Sequence, residues 1–284
     1  MIPIRQLLVF SSTPDVAADN FVVPILAEPL DALAGRAADL GYDGLEFLPN
    51  PDDMPSAERL SAAVEAAGIS VGVVNSGRLA VRGYALLHRD AERRRASIDA
   101  FNRLIDLAGA LGARVGLGMA RGDSRVTAAA PDLPSIMRDV FGEIGARAQS
   151  RGTFVMLEPA DPGYVAAILR VREAAEQVAL VASPGFSMML DTHQIDVVEE
   201  SYEQAFADAG GRATHIHLYD PNHWPPGVSG ERLDWKRMRD AMERHGFSGS
   251  GSMVLAPSGD VDAAAREAVA FVRAALMQEQ SHAW

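Results

Sequence analysis

Ala213-Thr-His-Ile-His-Leu-Tyr219 is a hydrophobic run of strand length that carries two histidines, His215 and His217. Two runs of the same kind precede it in the chain. Thr153-Phe-Val-Met-Leu-Glu158 ends in a glutamate, and Phe186-Ser-Met-Met-Leu-Asp191 ends in an aspartate. Carboxylate and imidazole groups bind divalent cations. Apolar strands that end in Glu, Asp and His therefore predict a barrel whose strand ends converge on one metal ion.

The rest of the chain repeats one pattern, in which an amphipathic helix is followed by a glycine and a short strand-like run. The glycines at these places are Gly41, Gly68, Gly112, Gly152 and Gly246. A glycine just past a helix takes a left-handed conformation that other residues resist, so we interpret all five as helix stops. The predicted helices between the runs include 56–67, 134–150, 235–245 and 262–278.

The repeated pattern predicts the fold class. The remaining predicted strands are 4–10, 42–47, 69–74, 113–117 and 252–256, which gives eight strand–helix units. Strands that alternate with helices predict a parallel sheet, and eight units predict that the sheet closes. No linker or low-complexity stretch divides the units. We therefore predict an α/β protein with one (β/α)8 TIM-barrel domain over residues 1–284.

The composition excludes several classes of protein. A formal net charge of −12 makes a nucleic-acid backbone an unexpected partner. The absence of cysteine excludes disulfides, thiolate catalysis and Cys-ligated zinc. No apolar run reaches the roughly 18 residues of a membrane span, and Arg5 interrupts the apolar start of the chain, unlike a signal peptide. We expect a cytoplasmic protein with no membrane partner, and we leave open whether it forms a homo-oligomer.

Three residues are candidate metal ligands. Glu158 follows five uncharged residues, and a buried carboxylate is costly unless it is paired or bound to a metal, so a salt bridge is the alternative. Asp191 is a candidate ligand for which a helix cap is the alternative. His217 is a candidate ligand with His215 in support, because residues two apart on a strand face the same side.

Other residues are candidates for catalysis or substrate binding. Glu46 ends the strand at 42–47 and is a candidate acid or base, with an ion pair at the rim as the alternative. His193 lies two residues after Asp191, where it would polarise a substrate oxygen. Glu158 is the third catalytic candidate.

The loops after the strands supply further candidates. Loops at 11–29, 75–89 and 220–230 are long enough to act as lids, although ordinary surface loops are the alternative. The candidate substrate-binding residues are His223 and Trp224 in the third loop, His215, and Arg121, for which a solvated surface role is the alternative. Gly116-Leu-Gly118 is not a dinucleotide fingerprint, because the motif is incomplete and no helix opens there.

Several short motifs carry a family resemblance. They are Asp43-Gly-Leu-Glu46, Leu157-Glu-Pro159, Leu190-Asp-Thr192, the His-x-His of 215–217, and Gly227-x-x-Gly-x-x-Leu-Asp-Trp235 followed by Gly246-Phe-Ser-Gly249. The chain resembles the xylose isomerase-like TIM barrels, a superfamily of sugar isomerases and epimerases. The resemblance implies that Glu158, Asp191 and His217 bind a divalent metal, Mn²⁺ first and Mg²⁺, Co²⁺ or Zn²⁺ as alternatives. It also implies that Glu158 transfers the proton.

The implied activity is metal-dependent isomerisation or epimerisation of a small ketose or oxo-sugar acid through an enediolate. Two alternatives remain open. One is a lyase, a dehydratase or decarboxylase of an oxo-sugar acid, which needs the same enolate but no second base. The other is a sugar-binding relative without catalysis.

The chain departs from the family pattern at two positions. The family has a histidine three positions after the Asp ligand, where Gln194 stands here with His193 one place earlier. The family's eighth strand ends in Glu-Pro, whereas this chain reads Leu255-Ala-Pro257. In ketose epimerases of the family that glutamate is both the fourth metal ligand and the second base. The alanine at position 256 removes both. A one-base reaction, an inactive binding relative and a deliberate Glu-to-Ala change all remain open.

Overall fold

The chain folds into a closed parallel barrel. The computed structural model describes residues 5–11, 26–27, 30–129, 131–199, 201–221, 224–227, 233–253 and 260–277. The strands of its sheet are β1 Arg5–Ser11, β2 Leu26–Ala27, β3 Gly44–Phe47, β4 Ser70–Asn75, β5 Arg114–Leu117, β6 Val155–Leu157, β7 Phe186–Asp191, β8 Ala213–Leu218 and β9 Ser250–Met253. All neighbouring strands are parallel, and pairing of β1 with β9 closes the ring. The predicted eight-stranded barrel is confirmed.

One strand of the sheet was not predicted. The two-residue β2 lies within the predicted loop at 11–29 and pairs with Phe10 and Ser11 at the end of β1. It pairs beside the end of β1, and the other eight strands form the closed barrel. Residues 254–259 lie outside the described residues, so the end of the eighth barrel strand at Ala256 is not described.

Helices surround the barrel. They are α1 Leu30–Asp39, α2 Ala57–Ala66, α3 Gly77–Val81, α4 Ala91–Leu111, α5 Leu133–Ser150, α6 Val171–Val181, α7 Thr192–Val198, α8 Tyr202–Ala209, α9 Trp235–Arg244 and α10 Val261–Met277. All five glycines predicted as helix stops have a positive φ. Two short helices, α3 and α7, lie directly after the ends of β4 and β7. Within the described residues, no helix is both long and apolar enough to cross a bilayer.

The inside of the barrel changes from apolar to polar toward the carboxyl ends of the strands. Side chains two apart on a strand face the same side, so inward-facing residues form layers. Val73, Met156 and Met189 form a buried apolar cluster inside the ring. The residues two positions further along the same strands are Asn75, Glu158 and Asp191. The alternation that fills the lower barrel with apolar groups therefore brings polar groups to its upper end.

Candidate metal centre and active site

Three side chains from adjacent strand ends converge at the carboxyl end of the barrel. His217 Nδ1 lies 2.9 Å from Glu158 Oε1 and 3.4 Å from Asp191 Oδ2. One ligand atom from each residue lies within 4.8 Å of the others. Strand pairing explains the convergence, because Asp191 and His217 are register partners on β7 and β8, and Glu158 directly follows β6. The structure thus brings together the three residues that the sequence singled out as candidate ligands.

The donor set of this cluster fits a divalent cation. The Nδ1 atom of one imidazole donates at most one hydrogen, yet a carboxylate oxygen from Glu158 and another from Asp191 both face it. The other Asp191 oxygen, Oδ1, accepts from the backbone N–H of Gln194 at 3.0 Å. Two carboxylates and one imidazole are the ligands that Mn²⁺, Mg²⁺ and Zn²⁺ take in proteins. A cation between them would offset the carboxylate charges that a single N–H leaves unbalanced.

Glu46 orients the imidazole of His217. The Nε2 atom of His217 lies 3.1 Å from Glu46 Oε1 and 3.2 Å from Oε2. An Nε2–H that donates to Glu46 leaves the lone pair on Nδ1, which is the atom that faces Glu158 and Asp191. The tautomer that this contact favours is the one a metal ligand needs.

Glu46 is therefore a supporting group and does not have the geometry of the acid or base that its strand-end position suggested. Its side chain is fully buried, and it also accepts hydrogen bonds from Asn75 Nδ2 and, at 3.2 Å, from His215 Nε2. Burial alone would raise its pKa, but the charge on His217 and the hydrogen bonds from both histidines hold the pKa of Glu46 well below its usual range. The carboxylate stays ionised, and three side-chain donors already contact it.

His215 lies below the candidate ligands, enclosed by serines. Its Nδ1 is 2.6 Å from Ser250 Oγ, and its Nε2 is 2.9 Å from Ser252 Oγ. Burial lowers the pKa of His215, so the ring is neutral. The side chain is fully buried, which gives it a structural role under His217 instead of the predicted contact with substrate.

A second group of possible ligands, Glu46, His215 and His217 Nε2, also lies within metal-binding distance. Both nitrogens of His215 already have serine partners, and Glu46 already accepts from three side chains. These atoms are satisfied without a cation, in contrast to the carboxylates around Nδ1. The upper group of Glu158, Asp191 and His217 is the better candidate for the metal.

Glu158 is an electrostatically unusual carboxyl. Burial raises its pKa, and the neighbouring carboxylates of Asp191 and Glu46 add to that effect, whereas His217 opposes it. The pKa of the His217 imidazole is also changed. Burial lowers it, but the carboxylates of Glu46 and Glu158 outweigh burial and hold the pKa of His217 well above its usual range. A carboxylate whose proton affinity is raised is suited to accept a proton from carbon.

Gly118, directly after β5, makes room for the site, whereas Gly116 on β5 is not required for this. A Cβ built on Gly118 would lie 2.4 Å from Glu158 Oε2, which is far inside van der Waals contact. A Cβ on Gly116 would meet Asn75 Nδ2 at 3.5 Å and Met189 Sδ at 3.7 Å, which is ordinary contact. Gly118 therefore leaves the space that the Glu158 carboxylate occupies. The Gly-x-Gly of 116–118 is not a dinucleotide fingerprint, and the structure gives its second glycine a steric role.

Arg121 is directed at backbone carbonyls and contacts the loop after β6. It is fully buried, and its Nη1 donates to the backbone carbonyls of Glu158 and Leu117, the latter at 3.1 Å. Its Nη2 donates to the carbonyl of Ile168 at 3.3 Å. Burial lowers the pKa of Arg121 to about 10. Neither the predicted substrate-binding role nor the solvated surface alternative fits a buried guanidinium that is directed at backbone carbonyls.

The structure describes only some of the other sequence candidates. His193 is the second residue of α7, two positions after Asp191, and is partly buried. Gln194, which replaces the family's histidine, is buried, and its Oε1 accepts from the backbone N–H of Asp161 at 2.5 Å. Trp224 is 46% exposed. His223 lies outside the described residues, as does Ala256.

Sequence reasoning missed the residues that support the ligands. Asn75 is the last residue of β4, and the same rule that selected Glu158 and Asp191, a polar residue at the end of an apolar strand, would have found it. Ser250 and Ser252 gave no comparable signal, because serine is common in loops and turns. Their role depends on the register in which β9 places them beside His215 and His217.

Comparison with known proteins agrees with the fold. The model of the xylose isomerase-like TIM barrel family matches residues 34–275. A curated relative, fructoselysine 3-epimerase of Shigella flexneri, is 24% identical over 247 residues, which cover 80% of this chain and 85% of the relative.

Solved structures share the architecture at low sequence identity. D-psicose 3-epimerase from Clostridium cellulolyticum H10, solved with D-tagatose, superposes with a TM-score of 0.78 at 20% identity, over 96% of this chain and 99% of that one. The 3-keto-D-glucoside 4-epimerase of E. coli superposes with a TM-score of 0.75 at 17% identity, over 95% and 99% of the two chains.

Proposed function

The chain belongs to the xylose isomerase-like TIM barrel family, and from that premise we propose that it is a metal-dependent sugar epimerase or isomerase. Its substrate is a ketose or an oxo-sugar acid, and the reaction moves a proton at the carbon next to the carbonyl group. The observation that carries the proposal is the convergence of Glu158, Asp191 and His217 on one point at the barrel mouth.

Each residue of the site has a separate role in the proposed reaction. A divalent cation, when bound, supplies the charge that acidifies the C–H between a carbonyl and a hydroxyl oxygen. Glu158, Asp191 and His217 would hold it, and Glu46 keeps His217 in the tautomer that presents Nδ1. Glu158 takes the proton from carbon; in an isomerase it returns the proton to the neighbouring carbon, whereas an epimerase needs a second group to deliver a proton to the opposite face.

The relatives support a sugar substrate. The curated relative is named as a fructoselysine 3-epimerase, and one structural neighbour was solved in the presence of D-fructose. The buried, carboxylate-rich mouth of this barrel suits a neutral polyol better than a polyanion, because Arg121 is turned away from it.

Ala256 favours a second candidate, a lyase acting on an oxo-sugar acid. An epimerase that removes and returns protons on opposite faces of the carbon uses two bases, and the place of the second base is alanine here. Loss of water or carbon dioxide from an oxo-sugar acid passes through the same enolate and needs no second base. The two candidates differ in their products.

The test is exchange of carbon-bound hydrogen in heavy water. The full chain, first stripped of metal and then loaded with Mn²⁺, is incubated with D-fructose, D-tagatose and a panel of oxo-sugar acids, and the products are followed by NMR. We expect metal-dependent deuterium incorporation next to the carbonyl of a ketose, with neither water nor carbon dioxide lost.

The matched control is Glu158→Gln, which keeps the size of the side chain but not its basicity. Exchange that persists in this variant, or that proceeds equally without metal, would overturn the proposed mechanism. Release of water or carbon dioxide from an oxo-sugar acid would replace the epimerase with the lyase.

A further inference from the structure

A cleft opens beside the candidate metal centre, among the loops that follow β4, β5 and β6. Its volume is about 380 Å³, and the residues that form its apolar walls include Val81, Tyr84, Met119, Val126 and Tyr164. A volume of about 300–1,000 Å³ is typical of small-molecule pockets. All three loops lie at the carboxyl end of the barrel, the same end as the candidate ligands.

The cleft adjoins the site through short connections. Met119 directly follows Gly118, whose α-carbon faces the Glu158 carboxylate. On the opposite wall, Tyr164 N donates to Asp161 O at 2.9 Å, and Asp161 N donates to Gln194 Oε1. Gln194 N in turn donates to Asp191 Oδ1. Each wall is therefore a few residues from a candidate metal ligand.

Electrostatics agree with this closeness. Burial raises the pKa of the Tyr164 hydroxyl, and the carboxylates of Asp161 and Asp191 raise it further. The Asp191 charge thus reaches a side chain that lines the cleft.

The chemistry of the walls differs from that of the metal centre. Two tyrosine rings, a methionine and two valines line the cleft, and the charged groups among its lining residues, Asp123 and Arg125, form an ion pair with each other. Aromatic and thioether groups favour contact with an apolar or aromatic ligand. A free ketose, with an oxygen on every carbon, would use these walls mainly through the tyrosine hydroxyls and ring faces, whereas an apolar or aromatic substituent also matches the methionine and the valines.

We propose that this cleft is a subsite for an apolar or aromatic substituent, so that the substrate is a substituted sugar whose ketose part lies at the metal centre. The inference rests on the proposed function for the sugar part. Gln194 connects the cleft to the metal centre in this proposal. Its side chain accepts from Asp161 in the loop that carries Tyr164, and its backbone N–H donates to Asp191 at the end of β7.

The test compares pairs of sugars that differ only in the substituent. The probes are 1-O-benzyl- and 1-O-methyl-D-fructose, and 6-O-benzyl- and 6-O-methyl-D-fructose, which cover both ends of the ketose. With the Mn²⁺-loaded full chain, Kd is measured by calorimetry and kcat/KM by deuterium exchange. We expect one benzyl ether to be preferred over its methyl partner by about tenfold or more, as expected for burial of an aryl group.

Two variants change the cleft in opposite ways. Val126→Trp fills it, and Tyr164→Ala removes one aromatic wall; each is expected to lower the benzyl-to-methyl ratio toward one. The matched control is Leu180→Trp, which adds the same side chain at a position on α6 that is 72% exposed, and it is expected to keep the wild-type ratio.

The outcomes separate this proposal from the proposed function. If no sugar exchanges deuterium but a benzyl preference in Kd disappears in Val126→Trp, the epimerase assignment fails and the subsite stands. If methyl and benzyl ethers react and bind equally, the subsite fails and the epimerase stands. A benzyl preference that survives in both cleft variants would also overturn the subsite.

Discussion

At the scale of single residues, the candidate centre depends on how one imidazole is held. His217 has carboxylates on both sides, with Glu46 at Nε2 and the pair of Glu158 and Asp191 at Nδ1. Glu46, the lower carboxylate, accepts hydrogen bonds from three side chains. Glu158 and Asp191, the upper pair, both face Nδ1, which can donate only one hydrogen. From this asymmetry we propose Glu158 and Asp191 as metal ligands and Glu46 as a supporting group.

Gly118 gives the first prediction at this scale. In Gly118→Ala the new methyl group would clash with Glu158 Oε2, so the carboxylate must move away from the point it shares with Asp191 and His217. We expect affinity for Mn²⁺ to fall by about 10–100-fold, the usual effect of a change in the residues that support metal ligands. Calorimetry on the metal-stripped chain measures it.

The matched control for this prediction is Gly116→Ala, two residues earlier on the same strand. Its Cβ would make only ordinary contacts, so we expect Mn²⁺ affinity close to that of the original chain. Equal losses in both variants would show that alanine disturbs β5 in general, and would contradict a specific steric role for Gly118.

Ala256 gives the second prediction, which comes from the sequence because that residue lies outside the described part of the chain. In Ala256→Glu we expect a fourth metal ligand and a second proton-transfer group opposite Glu158. General acid–base groups contribute about 10²–10⁴-fold, so epimerase turnover should rise clearly. If the original chain is active and the added glutamate inhibits it, alanine belongs to a one-base reaction.

The titration of His217 gives the third prediction. Its pKa is raised, so the metal-free protein gains stability from the imidazolium below the ordinary pKa of about 6.5 and loses it as pH rises through the folded-state value. Mn²⁺ must displace that proton. We therefore expect Mn²⁺ affinity, measured by calorimetry from pH 5.5 to 8.5, to continue rising above about pH 6.5.

Glu46→Gln tests the cause of that pH dependence. Removing the carboxylate at Nε2 lowers the pKa of His217, so the rise in Mn²⁺ affinity should move to lower pH. A profile that is flat above pH 6.5 in the original chain, or identical in both proteins, would be evidence against the role assigned to Glu46.

At the scale of elements, the loop between β6 and α6 is the most constrained segment near the site. Ile168 adopts a φ of 65°, which is rare for a β-branched residue. Its carbonyl accepts from Arg121 Nη2 and from Ala160 N, both at 3.3 Å. Backbone strain of this kind persists when the surrounding contacts over-determine it, and it concentrates at functional sites. The same guanidinium holds the carbonyl of Glu158.

The fourth prediction concerns this loop. In Arg121→Met the carbonyls of Leu117, Glu158 and Ile168 lose the hydrogen bonds that Arg121 donates. Leu117 O keeps Glu158 N and Ile168 O keeps Ala160 N as donors, so the main cost falls on the Glu158 carbonyl, at about 1–3 kcal/mol for a group left unsatisfied. We expect lower unfolding free energy in denaturant and faster amide hydrogen exchange in residues 158–168. Arg172→Ala, on the 70% exposed side chain of a neighbouring helix, is the control that should leave exchange in the loop unchanged. Unaltered exchange in Arg121→Met would refute its role in the loop.

The sequence predicted the elements well because local rules govern them. Apolar runs gave the strands, and glycines such as Gly112, which has a φ of 64°, ended the helices as expected. The same rules gave the three candidate ligands, because each lies at or near a strand end. The role of Glu46 was not predictable in this way. Glu46 contacts His217 on β8, which lies three strands away around the ring. A local sequence pattern gives no information about contacts between strands so far apart.

At the scale of the whole molecule, closure of the ring creates the centre. Pairing of β1 with β9 brings β3 and β8 to opposite sides of one interior, so that Glu46 reaches His215 and His217. The apolar lower layer of Val73, Met156 and Met189 supports the polar upper layer. An open sheet with the same residues would separate Glu46 from the histidines.

The position of the metal tests this account most directly. The measurement is an anomalous difference map from crystals of the full chain loaded with Mn²⁺. We predict one peak at about 2.0–2.3 Å from His217 Nδ1 and from oxygens of Glu158 and Asp191. A peak on the Nε2 side, between Glu46 and His215, or no peak at the barrel mouth, would contradict it.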